Sequence, residues 1–93
     1  PTPSRDYLAM RAALAQKQKQ NDIALESYQL LTQREPENAR WWLGLAIQQE
    51  RALAFTPAIA SYQKALGKVG ISNQSQAFIR DRLNILKQLE NAQ

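Results

Sequence analysis

Residues 24–31 read ALESYQLL and residues 58–65 read AIASYQKA. Aligned, Ala24 falls on Ala58, Leu25 on Ile59, and Ser27-Tyr28-Gln29 on Ser61-Tyr62-Gln63, each 34 residues apart. The offset extends both ways: Leu8 falls on Trp42, Ala12 on Ala46, and Pro36 on Gly70. A fixed period of this length, with small residues on small and turn residues on turn, is the spacing of a helix–turn–helix repeat.

Local signals divide each repeat into two helices. Ser4 is an N-cap with Asp6 in the first turn, so a helix starts after Pro3 and ends near Lys19. Its apolar members are Tyr7, Leu8, Met10, Ala12 and Leu14. Asn21 opens a second helix carrying Ile23, Ala24, Leu25, Tyr28, Leu30 and Leu31. Glu35-Pro36-Glu37-Asn38 is a turn whose last residue caps a third helix, from about Ala39 to Arg51. Thr56-Pro57 reads as the start of a fourth, because proline lacks only an N–H that the first helical position does not need. That helix carries Ile59, Tyr62, Ala65 and Leu66, with Gly67 and Gly70 around its end. Ser72 or Asn73 caps a fifth, where Phe78, Ile79, Leu83, Ile85, Leu86 and Leu89 form a broad apolar stripe.

The expected architecture is therefore all-α: a solenoid of two hairpin repeats, about 5–38 and 39–72, closed by a capping helix at about 73–91. Ala12, Ala24, Ala46 and Ala58 let paired helices approach closely. Leu8, Trp42, Tyr28 and Tyr62 then fill the flanking space. Trp42 is assigned to the core; Trp41, its neighbour, points elsewhere, as a partly exposed anchor or equally as cover for a helix end.

Composition agrees. The 93 residues suffice for one domain, 44% are hydrophobic, and helix formers dominate over β-branched residues. No stretch approaches the roughly 20 apolar residues that span a bilayer. The chain opens Pro1-Thr2-Pro3 rather than with Met, which reads as a piece of a longer protein. The net charge of +4 could favour acidic partners, but charges alternate in sign along the helices.

The same residues resemble the tetratricopeptide-repeat family. Its pattern of Trp, Leu, small residue, Ala and aromatic is met by Trp42, Leu45, Ala46, Ala58, Tyr62 and Ala65. Leu8, Ala12, Ala24, Tyr28 and Pro36 meet it in the first repeat. Ala46 replaces the usual Gly, Ala15 and Gln49 replace the first-helix aromatic, and Gly70 replaces the closing Pro. The stretch 36–46, with Ala65-Leu66, Phe78-Ile79 and Arg82-Leu83, is also similar to the C-terminal repeat domains of bacterial pilus-assembly proteins. The nearest likeness is to biogenesis proteins of mannose-sensitive haemagglutinin type IV pili. That likeness implies an inner-membrane anchor upstream and a periplasmic location; without it the reading is cytoplasmic.

The repeat resemblance implies a concave groove lined by the first helix of each pair. Its candidate residues are Arg40, Leu43, Ile47, Glu50 and Arg51 from the second repeat. The first repeat offers Asp6, Ala9, Ala13, Gln16 and Lys17, and the last helix Gln74, Ala77, Asp81, Asn84 and Ile85. Leu43 and Ile47, four apart, stack on one helical face. Between Arg40 and Arg51 they suit an apolar peptide or helix with acidic groups nearby. Equally, the pair reads as ordinary core. Some proteins of this family clamp a terminal carboxylate with groove Lys and Asn; Ala9, Ala13 and Leu43 stand there, so no such clamp is expected.

Other chemistries find little to work with. The chain has no His and no Cys, hence no imidazole base, no thiolate and neither of the usual metal ligands. Glu35 and Glu37 read as solvated turn charges, and Asp81 between Arg80 and Arg82 as a charged helix face. Gly44, Gly67 and Gly70 are too scattered to cradle a phosphate. Neither enzyme activity nor a cofactor or metal is expected. Basic residues lie on different helices, which disfavours nucleic acid, and no membrane contact is expected of this fragment. The expected function is a protein-interaction scaffold for a pilus or secretion apparatus. The rival is self-association, as a homodimer or as the end of a longer array, with Ala9, Ala12, Ala13 and Ala15 offering a close-contact face.

Overall fold

A computed structural model describes residues 3–92. Five helices follow one another: α1 (Arg5–Lys17), α2 (Asn21–Arg34), α3 (Ala39–Arg51), α4 (Phe55–Leu66) and α5 (Asn73–Asn91). Substantial contacts run only between chain neighbours, α1 with α2, α2 with α3, α3 with α4 and α4 with α5. The result is a helical-repeat solenoid, 44 × 26 × 20 Å.

The 34-residue period governs the backbone as well as the side chains. Ser4, Asn38 and Ser72 cap α1, α3 and α5, each accepting a backbone N–H through its side chain. Such a bond satisfies one of the orphan donors of a first helical turn and is worth about 1 kcal/mol. The intra-hairpin turns match too. Lys19 and Leu53 are both left-handed, φ 58° and 60°. Gln20 N–H reaches the Ala15 carbonyl at 2.8 Å, and Ala54 N–H reaches Gln49 at 2.9 Å. With Lys19 N–H on Gln16 and Leu53 N–H on Glu50, these are Schellman caps, which stop a helix and turn the chain back in two residues. The Lys19 cap ends α1 two residues before the expected limit.

Between hairpins, the linkers pair briefly. Ala39 N–H donates to Val69 O at 2.8 Å, and Asn38 and Val69 form an isolated parallel bridge. Gly70 sits beside it at φ +110°, where an L side chain would be strained, with Asn38 Oδ1 only 3.3 Å from where a Cβ would lie. That position therefore demands glycine, although its equivalent in the first repeat is Pro36.

The core is two linked clusters. Leu8, Ala12, Tyr28, Leu31, Trp41 and Leu45 form the first; Ala46, Ala58, Ile59, Tyr62, Ala65, Ile79, Leu83 and Leu86 form the second. The four predicted alanines are wholly buried. Gly44 is small for a reason local to α3: a Cβ there would come within 2.3 Å of the Tyr28 ring.

Several expectations need correction. The two tryptophans exchange roles. Trp41 is only 4% exposed, its ring against Tyr28 and its Nε1–H donating to Glu35 at 2.6 Å. Trp42 is half-buried, donating to the Pro36 carbonyl at 2.7 Å with the Lys64 ammonium over its ring. Hairpin stacking decides this, because residue 41 faces the preceding hairpin. Thr56 does not cap α4: the helix starts two residues earlier, at Phe55, without a side-chain cap, and the Thr56 hydroxyl donates to Glu90 instead. On α1, Ala12 and Ala15 are buried, whereas Tyr7, Met10 and Leu14 are exposed. The free α1 face is therefore large and apolar rather than alanine-lined. On α5, only Ile79, Leu83 and Leu86 of the apolar stripe are buried. Among the described residues no further helix covers the rest.

Candidate functional site

Residues of α1, α3 and α5 line one side of the molecule, and three adjoining hollows lie there. The first has a volume of about 350 Å³ and is lined by Arg40, Leu43, Ile47, Gln16, Tyr28, the 70–72 linker and Ser75 of α5. A second, about 260 Å³, is walled by Ile47, Glu50, Arg51, Tyr62, Phe78 and Arg82. The third, about 460 Å³, lies at the hairpin-turn end and is lined by Gln16, Lys17, Lys19, Asn21 and Arg51. Ile47 is shared by the first two and Arg51 by the last two, so the surface is continuous.

Leu43 and Ile47 resolve into both of the alternatives left open by the sequence. Each is half-buried, packs on the second core cluster, and presents its remaining surface to the hollows. Arg40 and Arg51 are exposed at their flanks. Lys17 joins Arg51 at the turn end. Asp81, Asn84 and Ile85 are exposed on α5 but line none of these hollows; Ser75, Phe78 and Arg82 build that wall instead. The difference is a rotation of α5. It buries only the face that meets α3 and α4, so Phe78 lies edge-on to Tyr62 at 6.3 Å between ring centroids.

Glu50 walls the second hollow and also holds the groove together. Its carboxylate accepts from the Tyr62 hydroxyl at 2.8 Å and forms an ion pair with Arg82. That pair ties α3, α4 and α5 at one point and raises the Arg82 pKa, chiefly through the hydrogen bond. Burial, then the bond to Glu50, pushes the Tyr62 hydroxyl up, so it stays a donor. The first hairpin repeats the device with a neutral partner: Tyr28 donates to Gln16 Oε1 at 3.0 Å. Burial raises the Tyr28 pKa against the opposing fields of Arg40 and Arg51. Sequence spacing aligns Tyr28 with Tyr62 and Gln16 with Glu50, but the bonds themselves join helices and appear only in the fold.

Glu35 also departs from the solvated reading. Its Oε1 accepts from Trp41 Nε1, Asn38 Nδ2 at 3.2 Å and Arg5 Nε at 3.4 Å. These bonds, Trp41 first, hold its carboxyl below the usual value of 4.5. Arg5 and Arg40 lie over the Trp41 ring at 5.3 and 5.0 Å from its centroid. The cluster pins the first linker to α3. Among the described residues no group of three or more acidic side chains is arranged to hold a metal, and no helix is long and apolar enough to cross a membrane.

Comparisons with protein-family models, with curated proteins and with solved structures return no match.

Proposed function

We propose that this chain is a protein-interaction scaffold of the tetratricopeptide-repeat kind, holding an apolar segment of another protein against Leu43 and Ile47. One observation carries the reading. A half-buried apolar pair floors an open, continuous groove, with Arg40 and Arg51 exposed at its flanks. Half-buried aliphatic side chains gain from further burial, at about 25 cal/mol per Å² of apolar surface. The cations at the rim orient a partner and quicken its approach. The likeness of residues 36–46 to pilus-assembly proteins supports a partner within a bacterial pilus or secretion apparatus.

The test is capture. The immobilised domain is exposed to extract from its source cells at two salt concentrations. The expected result is retention of pilus-assembly or secretion components at both, and their loss from a Leu43→Thr/Ile47→Thr variant that keeps its helical circular dichroism. Retention of nucleic acid alone, at low salt only, overturns the reading, since phosphate contacts weaken steeply with salt.

A second reading is favoured by α1. Tyr7, Met10 and Leu14 are exposed on one helical face, and the equivalent positions of α3, Trp41, Gly44 and Gln48, are buried. Self-association through that face would make the melting temperature rise with protein concentration.

A further inference from the structure

Three cations converge where the first hairpin turns. Lys17 closes α1, Lys19 occupies the left-handed turn position, and Arg51 closes α3; all are exposed and all line one hollow of about 460 Å³. Among the described residues none of them forms an ion pair. The acids within reach along the chain are otherwise engaged or outside the lining: Glu50 holds Tyr62 and Arg82, Glu26 holds Arg11, and Asp22 points from the first turn of α2 without lining the hollow.

Helix-dipole complementation accounts for Lys17 and Arg51 in their last helical turns. It does not account for Lys19, which lies beyond α1, nor for the uncharged residues of the hollow. Gln16 lines it, and its carbonyl is occupied by the Tyr28 hydroxyl at 3.0 Å. Because Tyr28 keeps its proton, the Gln16 side chain is fixed with its amide nitrogen as the end left to donate. Asn21, at the first position of α2, adds a second amide, and the α2 cap residue Gln20 makes no side-chain bond to that helix end. The second hairpin lacks this set: the equivalents of Gln16, Lys19 and Asn21 are Glu50, Leu53 and Phe55. The donors are therefore peculiar to one end of the groove.

We infer that this hollow is an anion-binding subsite for acidic side chains of the segment held in the groove. Lys17, Lys19 and Arg51 supply the charge and Gln16 a directed hydrogen bond. The inference rests on the groove reading and names the chemistry at one end of it. A partner would then carry apolar residues for Leu43 and Ile47, and Asp or Glu toward the hairpin turn.

The test uses the isotope-labelled 93-residue chain, titrated with acetyl-Glu-Glu-Glu-amide at constant ionic strength and followed by NMR. Saturable shifts are expected at Gln16, Lys19, Asn21 and Arg51. Affinity should fall about tenfold in Arg51→Gln and in Lys19→Gln, the worth of one charge-assisted bond, with helical circular dichroism unchanged. Shifts that do not saturate, or that appear equally at Arg34, Arg80 and Lys87, mean diffuse attraction and overturn the subsite. A parallel titration with acetyl-trialanine bearing a free terminal carboxylate separates sources. Equal binding of that peptide assigns the site to a chain terminus and overturns the side-chain assignment. Neither probe offers a large apolar side chain to Leu43 or Ile47. Failure here therefore leaves capture intact, and failure of capture leaves this titration to stand or fall alone.

Discussion

Gln48, 1% exposed on α3, is the buried core residue whose side-chain polar atoms, Oε1 and Nε2, are left unpaired among the described residues. An unsatisfied buried polar group costs about 1–3 kcal/mol, and an apolar residue of similar volume removes that cost. Gln48→Leu is expected to stabilise the domain by about that amount, read as a higher urea midpoint at unchanged slope. Glu35 is the opposite case, a charge that the fold uses. Its folded pKa lies below 4.5, so the folded state binds fewer protons than the unfolded one across that interval. The stability it contributes is fully present above its unfolded pKa and is lost as pH falls through the lowered folded value. Thermal melts from neutral pH down to about pH 3 should therefore show a smaller acid loss for Glu35→Gln than for the parent. An equal loss in both would show that Glu35 contributes nothing through its charge.

At the scale of elements, the hairpin turns carry strain that could be relieved. Lys19 and Leu53 hold the left-handed position of a Schellman cap, where glycine is the usual occupant. A left-handed L residue costs about 1–2 kcal/mol, part of which glycine gives back through its freer unfolded chain. Leu53 is 73% exposed and forfeits little contact. Leu53→Gly is thus expected to stabilise by about 0.5–1 kcal/mol, whereas Leu53→Ala, still an L residue, should not. Urea unfolding of both separates strain from side-chain effects. These turns show what was legible beforehand. Ser4 and Asn38 announce their helices because a cap acts within three residues of itself, Ser72 does so only as one of two candidates, and the alanine pairs announce the hairpins through period alone. The Trp41–Trp42 exchange, the Glu50–Arg82 pair and the α5 wall of the groove were not legible. Each depends on how one hairpin is rotated on the next, and their partners lie six to 32 residues away. Of the hollows' lining, Arg40, Leu43, Ile47 and Arg51 were expected only through the repeat resemblance; Ser75, Phe78 and Arg82 required the packing of α5.

For the whole molecule, the contact pattern sets how damage spreads. Helices touch substantially only their chain neighbours, so the domain behaves as a short one-dimensional stack. Leu8 belongs to the first core cluster and Ile79 to the second, at opposite ends of the stack. Truncating either to Ala removes a buried aliphatic side chain and is expected to cost about 2–5 kcal/mol. With no shared partner, the double variant should cost the sum of the singles within about 0.3–0.5 kcal/mol, if unfolding stays a single transition. That condition is itself informative. A domain this small has a margin of about 5–10 kcal/mol, so two such losses bring it close to unfolding as a unit. If the ends instead uncouple, Leu8→Ala will produce a transition in which α1 and α2 melt before α4 and α5. Hydrogen exchange on the two single variants distinguishes the cases. One cooperative unit lowers protection throughout in both; uncoupled ends lower it only around the altered cluster. Two carboxylates argue for cooperation, because Glu35 binds α1 through Arg5 and α3 through Trp41, while Glu50 on α3 binds α4 through Tyr62 and α5 through Arg82. Each carboxylate joins a hairpin to the next element, and global loss of protection in both variants is the outcome these bonds require.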